Sequence, residues 1–344
     1  MVPMVVKKQM SGMDWRAAWK LLSLIPEQRD DLVAVLNGAV GDTLESEGSS
    51  LAIQMTLFDR NGALDLKNLM VERPSSRIAI FVPGLMAGPN FWSYVGEPFP
   101  ERIAADRGVT AIRVFYNTGM HVSTNGQQLA QMIHELVEAW PVEVTEISLV
   151  GHSMGGLVSR SATHYADQRQ LPWVGLLQRM ILLGTPLRGA TLEQVANLTA
   201  SILGWIPNPW TWVISWAFRQ RSAGIKDLRH GYLVDEEWMD IDPDALTLGR
   251  QHIVPLLPHV EHFVAAGTLV ADEHHPLAKI IGDALVAPYS AKDEGIDGTP
   301  TERAATAARV FPGVSHPGVA GDDVVYQQLL QWWPAQAVAS VVSA

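Results

Sequence analysis

Hydrophobic positions along the chain form short apolar runs separated by segments of helical period. Residues 1–40 repeat Leu21, Leu22, Ile25, Leu32, Val33 and Leu36 at helical spacings. Pro26 interrupts the pattern, and Asn37-Gly38 and Gly41-Asp42 predict its end. Residues 51–59 alternate in part and predict a strand. Asn61-Gly62 marks a turn, and residues 64–72 supply the expected return strand. Ile78 to Val82, Thr110 to Tyr116, Ile147 to Val150, Leu177 to Leu183, His262 to Thr268 and Ala307 to Phe311 are compact apolar runs, too short for helices. Between them, Gly126 to Trp140 places Leu129, Ile133, Leu136 and Val137 on one face, with Asn125 as its expected cap. Val324 to Trp333 predicts a closing helix docked by Val325, Leu329 and Trp332. Strands alternating with helices indicate a mostly parallel α/β sheet flanked by helices.

That alternation breaks between about residues 190 and 260. Ile202 to Phe218 holds Trp205, Trp210, Trp212 and Trp216, interrupted by Pro207 and Pro209. The expected organisation is an N-terminal helical segment and β-hairpin over 1–75, an α/β core over 76–189 and 261–335, and a tail over 336–344. The Trp-rich stretch 190–260 is expected as an inserted helical cap or lid. It reads either as a subdomain packed on the sheet edge or as a cap lining an apolar pocket. Arg219, Arg221, Lys226, Arg229 and His230 read as solvated surface rather than an anion site.

Composition narrows the possibilities. The chain has 344 residues, 47% of them hydrophobic, enough for a sizeable core. A formal net charge of -11 and the lack of a basic patch argue against nucleic acid as a partner. With no cysteine, thiolate catalysis, thiolate metal sites and disulfides are excluded. The N-terminus does not read as a signal peptide, and no apolar run of spanning length occurs. Cytoplasm is therefore the default location, although the tryptophans allow peripheral membrane contact. His259, His262, His274 and His275 lie near one another in sequence, but their spacing matches no firm metal-ligand pattern.

The chemistry gathers around VEVTEISLVGHSMGGLV, residues 142–158. A buried strand runs into Gly151-His152-Ser153-Met154-Gly155, and a helix follows. Small residues around Ser153 permit a tight turn that lifts its hydroxyl out of the sheet. A serine hydroxyl needs a base to take its proton and a carboxylate to orient that base. In a hydrolase built on such a strand-turn-helix elbow, the acid and then the histidine follow the serine. His316 follows the last strand, in a short loop from Gly313 to Gly318, and is the expected base. Asp283 is the expected acid, with Asp272, Glu273 and Asp293 as competitors. The oxyanion needs two donors. The backbone N–H of Met154 is one, and that of Leu85, with Met86 close behind, is the expected second.

These motifs together resemble the α/β-hydrolase superfamily, and within it the serine esterases and lipases. Gly151 to Gly156 looks like the common GHSMGG elbow, and Phe81 to Met86 resembles the oxyanion loop. Many lipases have His-Gly where this chain has Pro83-Gly84. Leu183 to Gly189 resembles the GTP-x-x-G turn of lipase-like members, and Gly282 to Val286 their acid turn, with Ala284 replacing a glycine. The resemblance spans about residues 76–335. It implies a small-molecule or lipid carboxylic ester as substrate, an acyl-serine intermediate and no cofactor. The same triad also serves acyltransferases, thioesterases and amidases, and a non-catalytic interaction protein of this fold is a further alternative. The natural ester and the oligomeric state are not readable from the sequence.

Overall fold

The computed structural model describes residues 29–94, 96–190, 221–239, 252, 254–268 and 306–335. Among these, eight strands form one sheet. In chain order they are β1 (Thr56–Asp59), β2 (Gly62–Ala63), β3 (Arg77–Val82), β4 (Thr110–Phe115), β5 (Glu146–His152), β6 (Leu177–Leu183), β7 (Glu261–Thr268) and β8 (Ala307–Pro312). Their spatial order is β2-β1-β4-β3-β5-β6-β7-β8. The pairs from β4 through β8 are parallel, whereas β1 runs antiparallel to both β2 and β4. The six apolar runs predicted as core strands are thus the six parallel strands of the sheet.

Six α-helices lie in the described regions: α1 (Arg29–Ser46), α2 (Phe99–Arg107), α3 (Val122–Ala139), α4 (Met154–Gln168), α5 (Ala223–His230) and α6 (Asp323–Trp332). Period-two alternation sorts the core into two faces. Ile78, Ile80 and Val82 belong with Leu129, Ile133, Leu157 and Val158 beneath α1, α3 and α4. Ala79 and Phe81 belong with Phe99, Ile103, Val325 and Leu329 beneath α2 and α6. Because β3, β5, β6, β7 and β8 are parallel, the loops after them open at a single sheet edge.

Several local expectations are corrected. The first helical stretch does break between Asn37-Gly38 and Gly41-Asp42, at Val40 (φ -143°, ψ 22°), but a second stretch continues α1 to Ser46. Asn37 is used internally: its amide donates to the Val33 and Leu51 carbonyls and its oxygen accepts from Ile53 N–H. Gly41 is also a close contact, since a Cβ there would lie 1.8 Å from Asn117 Oδ1. Strand β1 covers only the end of the 51–59 run. The return strand stops at Ala63, because the Asp65 side chain accepts from Lys67 N–H and starts a 3-10 turn over Leu66–Asn68. Asn125 does not cap α3. It is buried one turn inside, donating to the Asn117 carbonyl, while Asp227 accepts from Val122 N–H at 2.8 Å. His230 does not share a solvated basic surface; it is buried and stacked on Tyr232. Of residues 1–40, those before 29 lie outside the described residues, as does the Trp-rich run 202–218.

Candidate active site

Strand β5 delivers Ser153 to the open sheet edge, and the backbone there is strained. Ser153 has φ 53° and ψ -126°, a region natural to glycine that costs about 1–3 kcal/mol. Its N–H donates to the Leu183 carbonyl at 2.8 Å, which ties the turn to β6. Helix α4 starts at the next residue and packs so closely that a Cβ on Gly155 would lie 2.1 Å from the Val82 carbonyl oxygen. The Ser153 hydroxyl is buried, with no hydrogen-bond partner among the described residues. Burying such a group unpaired costs about 1–3 kcal/mol, so strain and desolvation converge on one side chain.

The loop after β3 presses against this turn. A Cβ on Gly84 would stand 2.9 Å from Ser153 Cβ and 3.3 Å from His152 Nδ1, so a side chain has no place there. Tyr116 Oη donates to the Pro83 carbonyl at 2.8 Å, fixing that peptide. Burial pushes the Tyr116 phenol upward, keeping the donor protonated. Met86 sits at φ 60°, and its N–H donates to Thr118 Oγ1 at 3.0 Å. Met86 N–H is therefore engaged, while the Leu85 N–H lies between the two fixed positions. Met154 opens α4, where the first N–H groups have no intrahelical partner.

His316 lies in the loop after β8 and is buried. Strands β6 and β7 separate β8 from β5 in the sheet. His152 spans that gap. Its Nε2 is 3.1 Å from the His316 carbonyl oxygen, and the two rings lie 4.9 Å apart, tilted by 52°. Since a carbonyl only accepts, the His152 proton is on Nε2. Burial, then the neighbouring His316, pulls His152 down to about 3, so the ring is neutral. It stacks on Phe91 at 4.9 Å and meets the edge of Trp92 at 6.4 Å.

Ser153, Met154 and the Leu85 loop thus converge, and the His316 loop is joined to them through His152. Asp283 and its competitors Asp272, Glu273 and Asp293 lie outside the described residues, as do His274 and His275. His259 Nε2 bonds the Val174 carbonyl, and no cluster with metal-ligand character occurs among the described residues. Sequence reasoning missed His152, Tyr116 and Thr118. Only His152 carried a signal, its place immediately before the serine; the other two reach the site by long-range contacts.

Residues 73–214 match the family described as "Putative serine esterase (DUF676)". No curated protein matches the chain. Among solved structures, the chain is similar to the mature form of a lipase from Bacillus licheniformis, with 18% identity, TM-score 0.48, and 81% of this chain and 97% of that one covered. It is similar to a hyperthermophilic esterase from the archaeon Pyrobaculum calidifontis, with 13% identity, TM-score 0.42 and 96% of each chain covered. It is also similar to a thermophilic esterase from Thermogutta terrifontis, with 13% identity, TM-score 0.41, and 81% and 92% covered.

Proposed function

We propose that the chain is a serine esterase of the α/β-hydrolase kind that hydrolyses carboxylic esters through Ser153, a reading supported by the match of residues 73–214 to the family described as "Putative serine esterase (DUF676)". The observation that carries this reading is the buried Ser153 hydroxyl, on strained backbone at a strand-to-helix turn and unpaired among the described residues, tethered through His152 to the loop bearing His316. Nothing in a purely structural turn calls for a polar group held in that state.

In the proposed cycle, His316 removes the Ser153 proton as the oxygen attacks the ester carbonyl. The backbone N–H groups of Met154 and Leu85 hold the oxyanion. Collapse of the tetrahedral species breaks the ester C–O bond, and His316 protonates the leaving alcohol. His316 then activates water, which releases the acid from the acyl-serine. Asp283 is the proposed carboxylate that orients the imidazole and stabilises the imidazolium. The inserted segment 190–260 is proposed as the cap over this edge. Its support is that α5 begins against the core, with Gly224 N–H donating to the Gly119 carbonyl at 3.0 Å and Ser222 Oγ to the Gly38 carbonyl at 2.7 Å.

The test is hydrolysis of p-nitrophenyl esters from acetyl to palmitoyl by the parent and by Ser153→Ala. The reading expects activity in the parent and a loss of about 10⁴-fold or more in the variant. Equal rates for the two would overturn it.

A further inference from the structure

His152 has no assigned part in that cycle, yet its surroundings are built around it. Four observations concern this one ring. Its Nε2 donates to the His316 carbonyl oxygen across 164 residues of chain. Its face lies on Phe91, which belongs to the 3-10 turn that continues the oxyanion loop. Its other nitrogen, Nδ1, faces Gly84, with no hydrogen-bond partner among the described residues. Its backbone is joined directly to Ser153. One side chain therefore touches the loop of the base and the loop of the proposed oxyanion donor, while its main chain carries the nucleophile.

We propose that His152 is a positioning residue whose Nε2–H, donated to the His316 carbonyl, fixes the base-bearing loop in register with the Ser153 elbow. The inference rests on the serine-hydrolase reading and adds a member to its machinery that does not touch substrate.

Geometry explains why this carbonyl is an effective handle. The peptide it belongs to joins His316 to Pro317, so it has no N–H and its rotation is constrained by the proline ring. Turning that peptide swings the His316 side chain. Downstream, the loop is folded by local bonds that include Gly318 N–H to Ser315 Oγ at 3.3 Å and Val319 N–H to the Ser315 carbonyl at 3.0 Å. Upstream, Gly313 N–H reaches the Thr268 carbonyl at 2.6 Å on β7. The bond from His152 refers the loop to β5, the strand of the nucleophile. Misplacing a catalytic group by about 1 Å costs on the order of 10²-fold in rate. A neutral donor is also the right kind of tether. It holds the carbonyl without placing a positive charge beside a histidine that must itself become charged.

The test compares His152→Gln with His152→Met, two side chains of similar length and volume. Glutamine carries an N–H donor near the position of Nε2, and methionine carries none. The readout is the rate of labelling by a fluorophosphonate together with its end point, alongside kcat and KM for a soluble ester. The proposal expects both variants to reach the parent end point. It expects H152M to label about 10–100-fold more slowly with kcat reduced in proportion and KM within about twofold, and H152Q to recover most of the rate. Equal slowing of H152M and H152Q would overturn it in favour of simple packing, and so would a parent-like rate in H152M. If H152M does not fold, His152→Phe, which keeps the stack on Phe91, takes its place against H152Q with the same outcomes. Ser153→Ala separates the two levels. Labelling of S153A at the parent rate defeats the serine-hydrolase reading itself, whereas a silent S153A beside a parent-like H152M defeats only the role of His152.

Discussion

At the amino ends of β3, β5 and β6, Arg77, Glu146 and Arg179 meet in a half-buried cluster. Arg77 grips Glu146 with Nε at 2.8 Å and Nη2 at 3.2 Å, and Arg179 Nη1 bonds the same carboxylate and, at 3.1 Å, Ser148 Oγ. Burial opposes the Glu146 charge, but the Arg77 hydrogen bond and the two guanidinium charges outweigh it, so the carboxyl lies below its usual range. At the carboxyl ends of the same strands the treatment is the opposite. Ser153 Oγ, Thr185 Oγ1 and His152 Nδ1 are buried with no hydrogen-bond partner among the described residues. One end ties its charged groups into a network, with Arg179 Nε the one atom of the three side chains left buried and unpartnered among the described residues. The other leaves several side-chain atoms unpartnered beside the strained Ser153 backbone, the state expected of a site that a reacting molecule completes.

The sharpest break of that contrast is Ser153→Ala. Esterase activity is expected to fall about 10⁴-fold while the melting temperature stays within a few degrees, because the hydroxyl makes no bond that folding would miss. Glu146→Ala should do the reverse. Removing it leaves two guanidiniums facing each other, and chemical denaturation should report a loss of about 3 kcal/mol, with kcat per folded molecule unchanged.

Acidification separates the buried histidines from the carboxylates. His152 and His262 are drawn by burial to about 3 and about 4, with His316 and Arg160 adding to the respective shifts. The unfolded chain takes up these protons below its ordinary value of about 6.5, whereas the folded chain does not until far lower pH. Their contribution is complete above that value and is lost as pH falls. Between pH 6.5 and 5.5 each should cost about 1 kcal/mol, read from denaturation midpoints. Asp227, raised by burial, works in the opposite sense. The smallest expected effect is that of Thr118→Val, which leaves Met86 N–H without its acceptor in the proposed oxyanion loop. A fall of about tenfold in kcat, with little change in KM, would mark the loop as preorganised for the transition state.

What could be read from the sequence follows the range of the forces involved. The elbow is legible because its constraints are local: glycines flank Ser153 where neighbouring backbone leaves no room for a side chain, and a strand and helix bracket it. The position of His316, in the loop after the last described strand, is legible too. Strands β3, β5, β6 and β7 are legible because burial on both faces makes them near-continuous apolar runs, whereas β4 and β8 are only partly buried and are read from shorter apolar stretches. The failures have two sources. Some are local, such as the Asp65 side chain that ends the return strand by accepting from Lys67 N–H. Others involve partners distant in sequence: the helix resumes after its break at Val40, and Asn37 and Gly41 are held there by Leu51, Ile53 and Asn117. Asn125 reads as a cap because the real one is Asp227, 105 residues beyond the Val122 N–H it accepts from. His152 reads as a spacer between glycine and serine because its partner lies 164 residues later.

The central claim is that Ser153 is the nucleophile and that the His316 loop serves it. Its most direct test is fluorophosphonate labelling of the full chain at neutral pH, followed by mass mapping of the modified peptide. The account predicts a single adduct on Ser153, absent from S153A and formed at least about 10³-fold more slowly in His316→Ala. An adduct on another residue, or undiminished labelling of S153A, would contradict it.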